Sequence, residues 1–282
     1  MKLRRVVAVA VTTVICAGVL AATSGAGRTA IKEAVASLPT PHPKVRPRTA
    51  PAQPEALKVV ALGDSVTSGA NCNCDAFPDI YGGLLGKRTG AKVTVDNLGV
   101  GGLNSGGLLA QLGEADSAAA VAGADVVLLT IGANDFGDHH DQVTAAACAS
   151  APGGDCVSQE IDQLSGDLQQ ILTKVRALRQ NKTTTVLVTG YWNVYEDGEV
   201  AQKAYSPEGV AATVGLTRRV NSVIWSVSGA QGATYVDLFG PFEKRGSAVT
   251  SLLAADGDHP SADGHLLIAQ VLVQVGLPKL SH

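Results

Sequence analysis

Five short apolar runs recur along the chain, and they limit its possible folds more than any other feature. They occupy residues 58–62, 92–96, 125–131, 184–189 and 234–238. Short runs that are rich in apolar and β-branched residues are typical of strands. Because longer segments separate them, we expect strands that alternate with helices, a pattern that builds a parallel sheet covered on both faces.

The segments between these runs carry helical signals. Apolar residues recur at helical spacing in the longest of them, residues 158–180. Helices are also predicted at residues 78–87, 108–122, 207–228 and 261–275. Residues 97–107 include five glycines, so we predict a loop there. The chain has no repeat of fixed period, which excludes a solenoid.

The composition supports a large core and argues against a nucleic-acid partner. Hydrophobic residues make up 45% of the 282 residues and charged residues 17%, which excludes a disordered chain. Residues 1–56 contain 8 of the 22 Lys and Arg but 2 of the 25 Asp and Glu. The remainder therefore has 14 basic against 23 acidic residues, a net charge of −9. An acidic surface does not neutralise phosphates, so no nucleic acid is expected as a partner.

The N-terminus has the pattern of an export signal. Lys2, Arg4 and Arg5 precede an apolar run at residues 6–22, and small residues follow it. We therefore predict a signal peptide or a retained membrane anchor at residues 1–26, with possible membrane attachment. Residues 27–56 hold six of the 12 prolines between basic residues and are predicted to be a linker. The folded domain is expected at residues 57–282, secreted or on the cell surface.

Four cysteines remain if Cys16 leaves with the signal. An even number in an exported protein favours disulfides, and three pairings are possible for Cys72, Cys74, Cys148 and Cys156. Cys148 and Cys156 flank a turn-rich segment that could close easily. Cys72 and Cys74 would then form a small Cys-x-Cys ring or remain thiols. A metal site is the alternative at Cys72 and Cys74, but the paired spacing usual for zinc is missing.

Polar and glycine-rich motifs follow the predicted strands. In open parallel sheets, ligands bind beyond the carboxyl ends of the strands, so these motifs are expected to meet at one edge. The motifs are Gly63-Asp64-Ser65, residues 97–102, Gly132-Ala133-Asn134-Asp135 and, after a further loop, Asp256-Gly257-Asp258-His259-Pro260.

Together these motifs contain the groups that acyl transfer requires. A hydroxyl such as that of Ser65 is a weak nucleophile until an imidazole takes its proton, and His259 supplies an imidazole. Asp256, three residues earlier, could orient that ring and stabilise its charged form. The oxyanion of the tetrahedral intermediate needs preset donors. Ser65 N–H, a glycine of residues 97–102 and the Asn134 amide could supply them.

In this order, the four motifs closely resemble those of the SGNH hydrolases, also called the GDSL esterase/lipase family. Gly63-Asp64-Ser65 with Gly69 matches the first block, and residues 97–102 match the second, with Gly102 at the oxyanion position. Residues 132–135 match the third block, and residues 256–260 match the last, Asp-x-x-His-Pro. The blocks span nearly the whole predicted domain. Since Gly101 precedes Gly102, the donor could also lie one residue earlier.

The resemblance implies both a fold and an activity. The fold is a three-layer α/β/α sandwich with a flavodoxin-like parallel sheet of about five strands. The activity is that of a serine hydrolase with Ser65, His259 and Asp256 as a triad and no cofactor or metal. Its substrates would be esters of acyl groups with alcohols, lipids or sugars, and we expect a monomer. A deacetylase of cell-envelope polysaccharide is an alternative, as is a non-catalytic carbohydrate- or lipid-binding module, although such a module would not need to keep Ser65, Asn134 and His259.

Three further segments carry signals that are open to more than one interpretation. His139 and His140 lie between two aspartates, but adjacent side chains diverge, so we predict an exposed loop rather than a metal site. Gly99-x-Gly101 lacks the full spacing of a dinucleotide-binding loop. The aromatic segment at residues 191–195 follows a predicted strand and could line a pocket or simply pack as a loop.

Overall fold

A computed structural model describes residues 56–148, 154–180, 184–243 and 246–276. The predicted signal or anchor at 1–26 and all but the last residue of the linker at 27–56 lie outside the described residues. Five strands form one sheet: β1 (Leu57–Gly63), β2 (Val93–Asn97), β3 (Val126–Thr130), β4 (Thr185–Thr189) and β5 (Thr234–Val236). Every pairing is parallel, and the strand order is β2-β1-β3-β4-β5.

The strand sequences explain this order. The residues of β3 are all buried and those of β1 nearly so, as expected for apolar strands at the centre of a sheet. Strand β2, with Thr94 and Asp96 among its five residues, is only half-buried at one edge. The predicted five-stranded parallel sheet is therefore confirmed.

Ten α-helices connect and cover the strands in the described residues. They are α1 (Ser65–Ser68), α2 (Phe77–Thr89), α3 (Ser105–Gln111), α4 (Ala115–Gly123), α5 (His140–Thr144), α6 (Ser158–Arg179), α7 (Gly198–Ala204), α8 (Pro207–Ala230), α9 (Phe239–Glu243) and α10 (Ala262–Val275). Two 3-10 helices, Asn134–His139 and Gly246–Leu252, complete the description. Helix α2 packs against α10, whereas α6 packs against α3, α4 and α8. The sheet lies between these two groups, and this gives the three layers of the α/β/α fold that the resemblance implied.

Two predicted boundaries were wrong. The single helix predicted at residues 108–122 is broken into α3 and α4, because Gly113 turns back to the Ala110 carbonyl and a new helix begins after Glu114. The loop predicted at residues 97–107 ends earlier, because the Asn104 side chain accepts the Gly107 N–H and caps α3. None of the described helices is both long enough and apolar enough to span a membrane.

Candidate active site

Ser65 stands directly beyond the carboxyl end of β1. Gly63 has a φ of +144°, and a Cβ at this position would lie 2.1 Å from the Thr130 carbonyl oxygen of β3. Only glycine therefore allows β1 to end so close to its neighbour. The chain then turns into α1, whose first residue is Ser65. Within the described residues the Ser65 N–H has no hydrogen-bond acceptor, so it is free to bind a ligand.

Asp64 fixes the turn that presents Ser65. Its carboxylate accepts the Val66 N–H at 3.0 Å and so caps α1. It also accepts the Tyr191 hydroxyl at 2.5 Å, although Tyr191 lies 127 positions away in the sequence. Asp64 is 1% exposed. Burial raises its pKa to about 6, although the hydrogen bonds from Tyr191 and Val66 act in the opposite direction.

His259 is paired with Asp256, as the spacing of three residues allows. The His259 Nδ1 atom lies 2.9 Å from Asp256 Oδ2. The other carboxylate oxygen, Oδ1, accepts the backbone N–H groups of Asp258 and His259 at 3.0 and 3.1 Å. Burial alone would raise the pKa of Asp256, but these bonds and the side-chain donors outweigh it and lower that pKa below its usual value. Asp256 is thus held in its charged form.

Asn71 also contacts both residues of this pair. The sequence did not predict this contact. Its Nδ2 atom lies 2.6 Å from Asp256 Oδ2 and 3.2 Å from His259 Nδ1. The contact spans 185 positions in the sequence, and nothing in the local pattern around Asn71 indicates it.

Hydrogen bonds hold both ends of the glycine-rich loop between β2 and α3. Asn97 donates from Nδ2 to the Thr67 carbonyl at 2.8 Å, which ties the start of the loop to α1. Asn134 donates from Nδ2 to the Leu103 carbonyl at 3.0 Å, which ties its end to the segment after β3. Gly102 has a φ of +76°, and its N–H has no acceptor among the described residues.

Ser105, the first residue of α3, strengthens the link between the end of the glycine-rich loop and the segment after β3. Ser105 donates its N–H to Asp135 Oδ2 at 3.1 Å and makes a short hydroxyl contact with Oδ1 of the same carboxylate. The Ser105 hydroxyl also lies 3.1 Å from Asp167 Oδ2. Asn134 and Asp135 together therefore hold the loop that carries Gly102.

One cavity brings the principal candidates together. It measures about 30 Å³, and Ser65, Asn134 and His259 all line it, together with Asp64, Val66, Ala133, Tyr191, Trp192, Asn193, Val194 and Asp258. Gly102 and Asp256 are not among the lining residues, although Asp256 contacts His259, which is. The Ser65 hydroxyl and His259 are not hydrogen-bonded to each other in the described residues. Such contacts are often long in ligand-free hydrolases.

The aromatic segment at residues 191–195, after β4, both packs against the core and lines the cavity. Tyr191 and Trp192 are almost fully buried, and Trp192 stacks on Phe242 with ring centroids 4.5 Å apart. The same two residues form part of the cavity wall. The segment is therefore a packed one whose inner side faces the site.

The prediction of an exposed loop at His139 and His140 was wrong. His139 ends a 3-10 helix and His140 begins α5, and both are half-buried. Each is paired with a distant carboxylate, His139 with Glu160 at 3.1 Å and His140 with Glu196 at 3.1 Å. Hydrogen bonding to Glu160 is the main cause that raises the pKa of His139.

The cysteines form two disulfides, Cys72–Cys74 and Cys148–Cys156. A ring nitrogen of buried His265 lies within 4.8 Å of both sulfurs of the first pair. Because these two sulfurs are bonded to each other, they present no thiolate to a metal ion in this structure.

A larger cavity of about 470 Å³ lies at the other end of the sheet, where β4 begins. Arg176 and Arg179 line it together with mostly apolar residues, and no histidine, cysteine or carboxylate is among the lining residues. Its lining residues therefore include no group that could serve as a general base.

Comparison with known proteins gives one family match. The model of the "GDSL-like Lipase/Acylhydrolase family" matches residues 61–267. No curated protein sequence matches the chain.

Several solved structures share the fold. The lipase Lip_vut3 from a goat rumen metagenome is 19% identical, with a TM-score of 0.64, over 80% of this chain and 100% of that one. Phospholipase A1 from Streptomyces albidoflavus is 21% identical, with a TM-score of 0.56, over 78% and 100%. An acetyl-xylooligosaccharide esterase from Geobacillus is 18% identical, with a TM-score of 0.53, over 78% and 93%. At these identities the likeness concerns the fold alone.

Proposed function

The chain belongs to the GDSL-like lipase/acylhydrolase family, and on that premise we propose that it is an exported serine esterase. Ser65 would be the nucleophile, His259 the general base and Asp256 the residue that orients His259. The observation that carries the proposal is the single cavity lined by Ser65, Asn134 and His259, with Asp256 2.9 Å from the His259 ring.

In the first step, Ser65 Oγ attacks the carbonyl carbon of the ester while its proton passes to His259 Nε2. This requires neutral His259 with its own proton on Nδ1. The charged carboxylate of Asp256, 2.9 Å from Nδ1, favours that tautomer and stabilises the imidazolium that forms.

The carbonyl oxygen becomes an oxyanion in the same step. The N–H groups of Ser65 and Gly102 and the second amide hydrogen of Asn134 are its proposed donors. When the tetrahedral intermediate collapses, the C–O bond to the alcohol breaks and the alcohol leaves with the proton from His259. Water then attacks the acyl-enzyme by the same route, which releases the carboxylic acid and restores Ser65.

The small cavity favours short acyl groups. The cavity beside Ser65 is small, about 30 Å³, which favours a short acyl group such as acetyl over a long chain. Buried Trp192 and Tyr191 close its wall, and enlarging it would disturb the stacking on Phe242. This observation also supports the second candidate, a deacetylase that acts on acetylated polysaccharide of the cell envelope.

Export is proposed from the N-terminal pattern and from the disulfides. Two disulfides among the four cysteines after residue 26 suit an oxidising compartment. Cleavage of the signal, or its retention as an anchor, would distinguish a secreted enzyme from one held at the cell surface.

Covalent labelling tests the proposed nucleophile. A fluorophosphonate should attach once, to Ser65, and abolish hydrolysis, whereas Ser65→Ala should be neither labelled nor active. Ser68→Ala, at an exposed position of the same short helix, is the matched control and should retain both properties. Label on another serine, or full activity in Ser65→Ala, would contradict the assignment.

Nitrophenyl esters of increasing acyl length, tested beside acetylated sugars, address the substrate. The expected order has acetyl esters hydrolysed fastest, with kcat/KM falling as the chain lengthens. A preference for long chains would overturn the argument from cavity size. Binding of sugars or lipids without any hydrolysis would instead indicate a binding module.

A further inference from the structure

The loop between α1 and α2 carries a side chain that touches the proposed base and its carboxylate at the same time. This side chain is Asn71, which neither the sequence pattern nor the proposed mechanism has used. We propose that Asn71 is a positioning residue that holds Asp256 and His259 in the arrangement required for proton transfer. The inference rests on the proposed function.

Asn71 completes the hydrogen bonding of Asp256. The carboxylate oxygen Oδ1 already accepts two backbone N–H groups, from Asp258 and His259. These bonds fix the position of Oδ1. The position of Oδ2 depends on the hydrogen bonds that Oδ2 itself accepts. Oδ2 has two, His259 Nδ1 at 2.9 Å and Asn71 Nδ2 at 2.6 Å. The Asn71 donor therefore opposes rotation of the carboxylate away from the ring.

Asn71 also affects the position of the proton on His259. An Asn71 N–H donated to His259 Nδ1 would favour the proton on Nε2, and such a ring could not accept the Ser65 proton. The amide nitrogen lies closer to Asp256 Oδ2, 2.6 Å, than to His259 Nδ1, 3.2 Å. Because the charged carboxylate is both the nearer and the stronger acceptor, donation to Asp256 is favoured over donation to Nδ1, and Nδ1 can carry the hydrogen that it shares with Asp256 Oδ2.

The backbone conformation of the loop presents the Asn71 side chain to Asp256 and His259. Asn71 has a φ of +58°, in the left-handed region that asparagine enters more readily than most residues. The Cys72–Cys74 disulfide follows immediately, and its sulfurs lie within 4.8 Å of a ring nitrogen of His265. His265 belongs to α10, the helix that follows His259, and its Nδ1 accepts the Phe77 N–H at 3.2 Å. The loop is thus anchored to the segment that carries the base.

Two substitutions at Asn71 separate positioning from folding. Asn71→Gly removes the amide but tolerates the positive φ, whereas alanine would add backbone strain. Asn71→Asp keeps the shape but places a second carboxylate against Asp256, which like-charge repulsion would displace. Asn73→Gly is the matched control, because Asn73 is exposed in the same loop and contacts neither Asp256 nor His259.

The expected result is a loss of kcat with little change in KM. Hydrogen-bond partners one step behind a functional histidine are worth about tenfold to a hundredfold at metal centres, and we expect a similar loss for Asn71→Gly and at least as large a loss for Asn71→Asp. Melting temperatures should match the wild type. In proton NMR, the His259 Nδ1–H should exchange with water faster in Asn71→Gly, a signature that needs no substrate. Asn73→Gly should match the wild type in every respect.

The outcomes distinguish this inference from the function on which it rests. Full activity in Ser65→Ala would refute the proposed nucleophile, whatever Asn71 does. If Ser65 is essential but both Asn71 variants retain wild-type kcat and Nδ1–H exchange, the positioning role is refuted alone. A fall in kcat that only follows a fall in melting temperature in both variants would make Asn71 a structural residue, which also overturns the proposal.

Discussion

Asn134 uses one amide hydrogen to hold the Leu103 carbonyl, so a second remains for the substrate. This second hydrogen should matter mainly once the substrate oxygen carries charge, because a ground-state carbonyl is a weaker acceptor. Removing such a donor typically lowers kcat by about 10²–10³. We expect Asn134→Ala to lose kcat in this range with little change in KM, and Asn134→Asp to be at least as harmful because its carboxylate would repel the oxyanion.

Steady-state kinetics and thermal unfolding test this prediction together. Asp138→Ala, at an exposed position of the same 3-10 helix, is the control and should behave as the wild type. If Asn134→Ala kept its kcat, or if it simply unfolded the protein, the residue would act as a structural turn residue.

Asp64 should make the stability of the fold depend on pH. Its pKa in the folded protein is about 6, against 3.8 for an ordinary aspartate, and burial is the main cause. The unfolded chain therefore loses the proton at lower pH than the folded one. The stability that protonated Asp64 contributes is complete below about pH 4 and is lost as the pH rises through 6. The difference between the pKa of Asp64 in the folded and in the unfolded chain corresponds to about 3 kcal/mol in the free energy of unfolding.

Urea unfolding of the wild type and of Asp64→Asn between pH 4 and 7 tests the predicted pH dependence of stability. Asparagine keeps an acceptor for the Val66 N–H and does not ionise. The free energy of unfolding of Asp64→Asn, minus that of the wild type, should rise by up to about 3 kcal/mol between pH 4 and 6 and then stay level. Burial also raises the pKa of Asp258 to about 6, although the charge of His259 lowers it, and the charge of Asp258 is one of the causes that raise the pKa of Asp64, so the two carboxyl groups lose their protons in the same pH range. A difference that stays constant with pH would contradict the prediction.

At the scale of elements, the two disulfides should have different effects. Cys148–Cys156 closes a loop with a sequence separation of 8, and its loss should cost about 2–3 kcal/mol of stability by loop entropy. Cys72–Cys74 closes a separation of only 2, so it stabilises the fold less, but it follows Asn71 directly. We expect Cys148→Ser with Cys156→Ser to lower the melting temperature and leave kcat unchanged. Cys72→Ser with Cys74→Ser should lower the melting temperature less but should reduce kcat.

Each double variant is the control for the other in the same melting and kinetic assays. Equal losses of kcat in the two double variants would show that the loop at Asn71 has no particular role.

The sequence predicted the regular elements well where local forces decide them. Strands such as β3 and long amphipathic helices such as α6 bury contiguous apolar residues, and this pattern is visible in one dimension. The break between α3 and α4 was missed because alanine and leucine favour helix on both sides of Gly113. The contacts of Asn71 and Tyr191 were missed for another reason. Each pairs with a residue more than 100 positions away, and no local period reports such a contact.

At the scale of the whole molecule, the chain should reach its compartment either cleaved or anchored, and without free thiols. The pattern at residues 1–26 predicts cleavage or anchoring, and both described cysteine pairs are closed. We expect mass spectrometry of protein from the culture medium or the membrane fraction to find no titratable thiol beyond residue 26. A full-length protein in the cytosol with four reactive thiols would contradict both the export and the disulfide predictions.

The overall fold could be predicted from the sequence because the strand pattern, the helix pattern and the motifs after the strands all indicate the same architecture. The alternation of strands and helices predicted the sheet, and the motifs after the strands predicted which edge would carry the site. The distances within the site were not accessible, because they depend on how α10 packs against α2. That packing is set by shape and burial across the molecule, as the stacking of Phe77 on His265 illustrates.

The order of the site residues along the chain has a consequence in time. Asn71 and His259 touch in the folded protein but are 188 positions apart, and Ser65 precedes them both. At the usual pace of synthesis, about 5–20 residues per second, the nucleophile would leave the ribosome roughly 10–40 seconds before its base. All five strands are complete by Val236, so the sheet can be assembled while the chemistry is still missing. With the roles proposed for Ser65 and His259, all five strands are synthesised before the base, and the site can be completed only after the segment that carries His259 has been made.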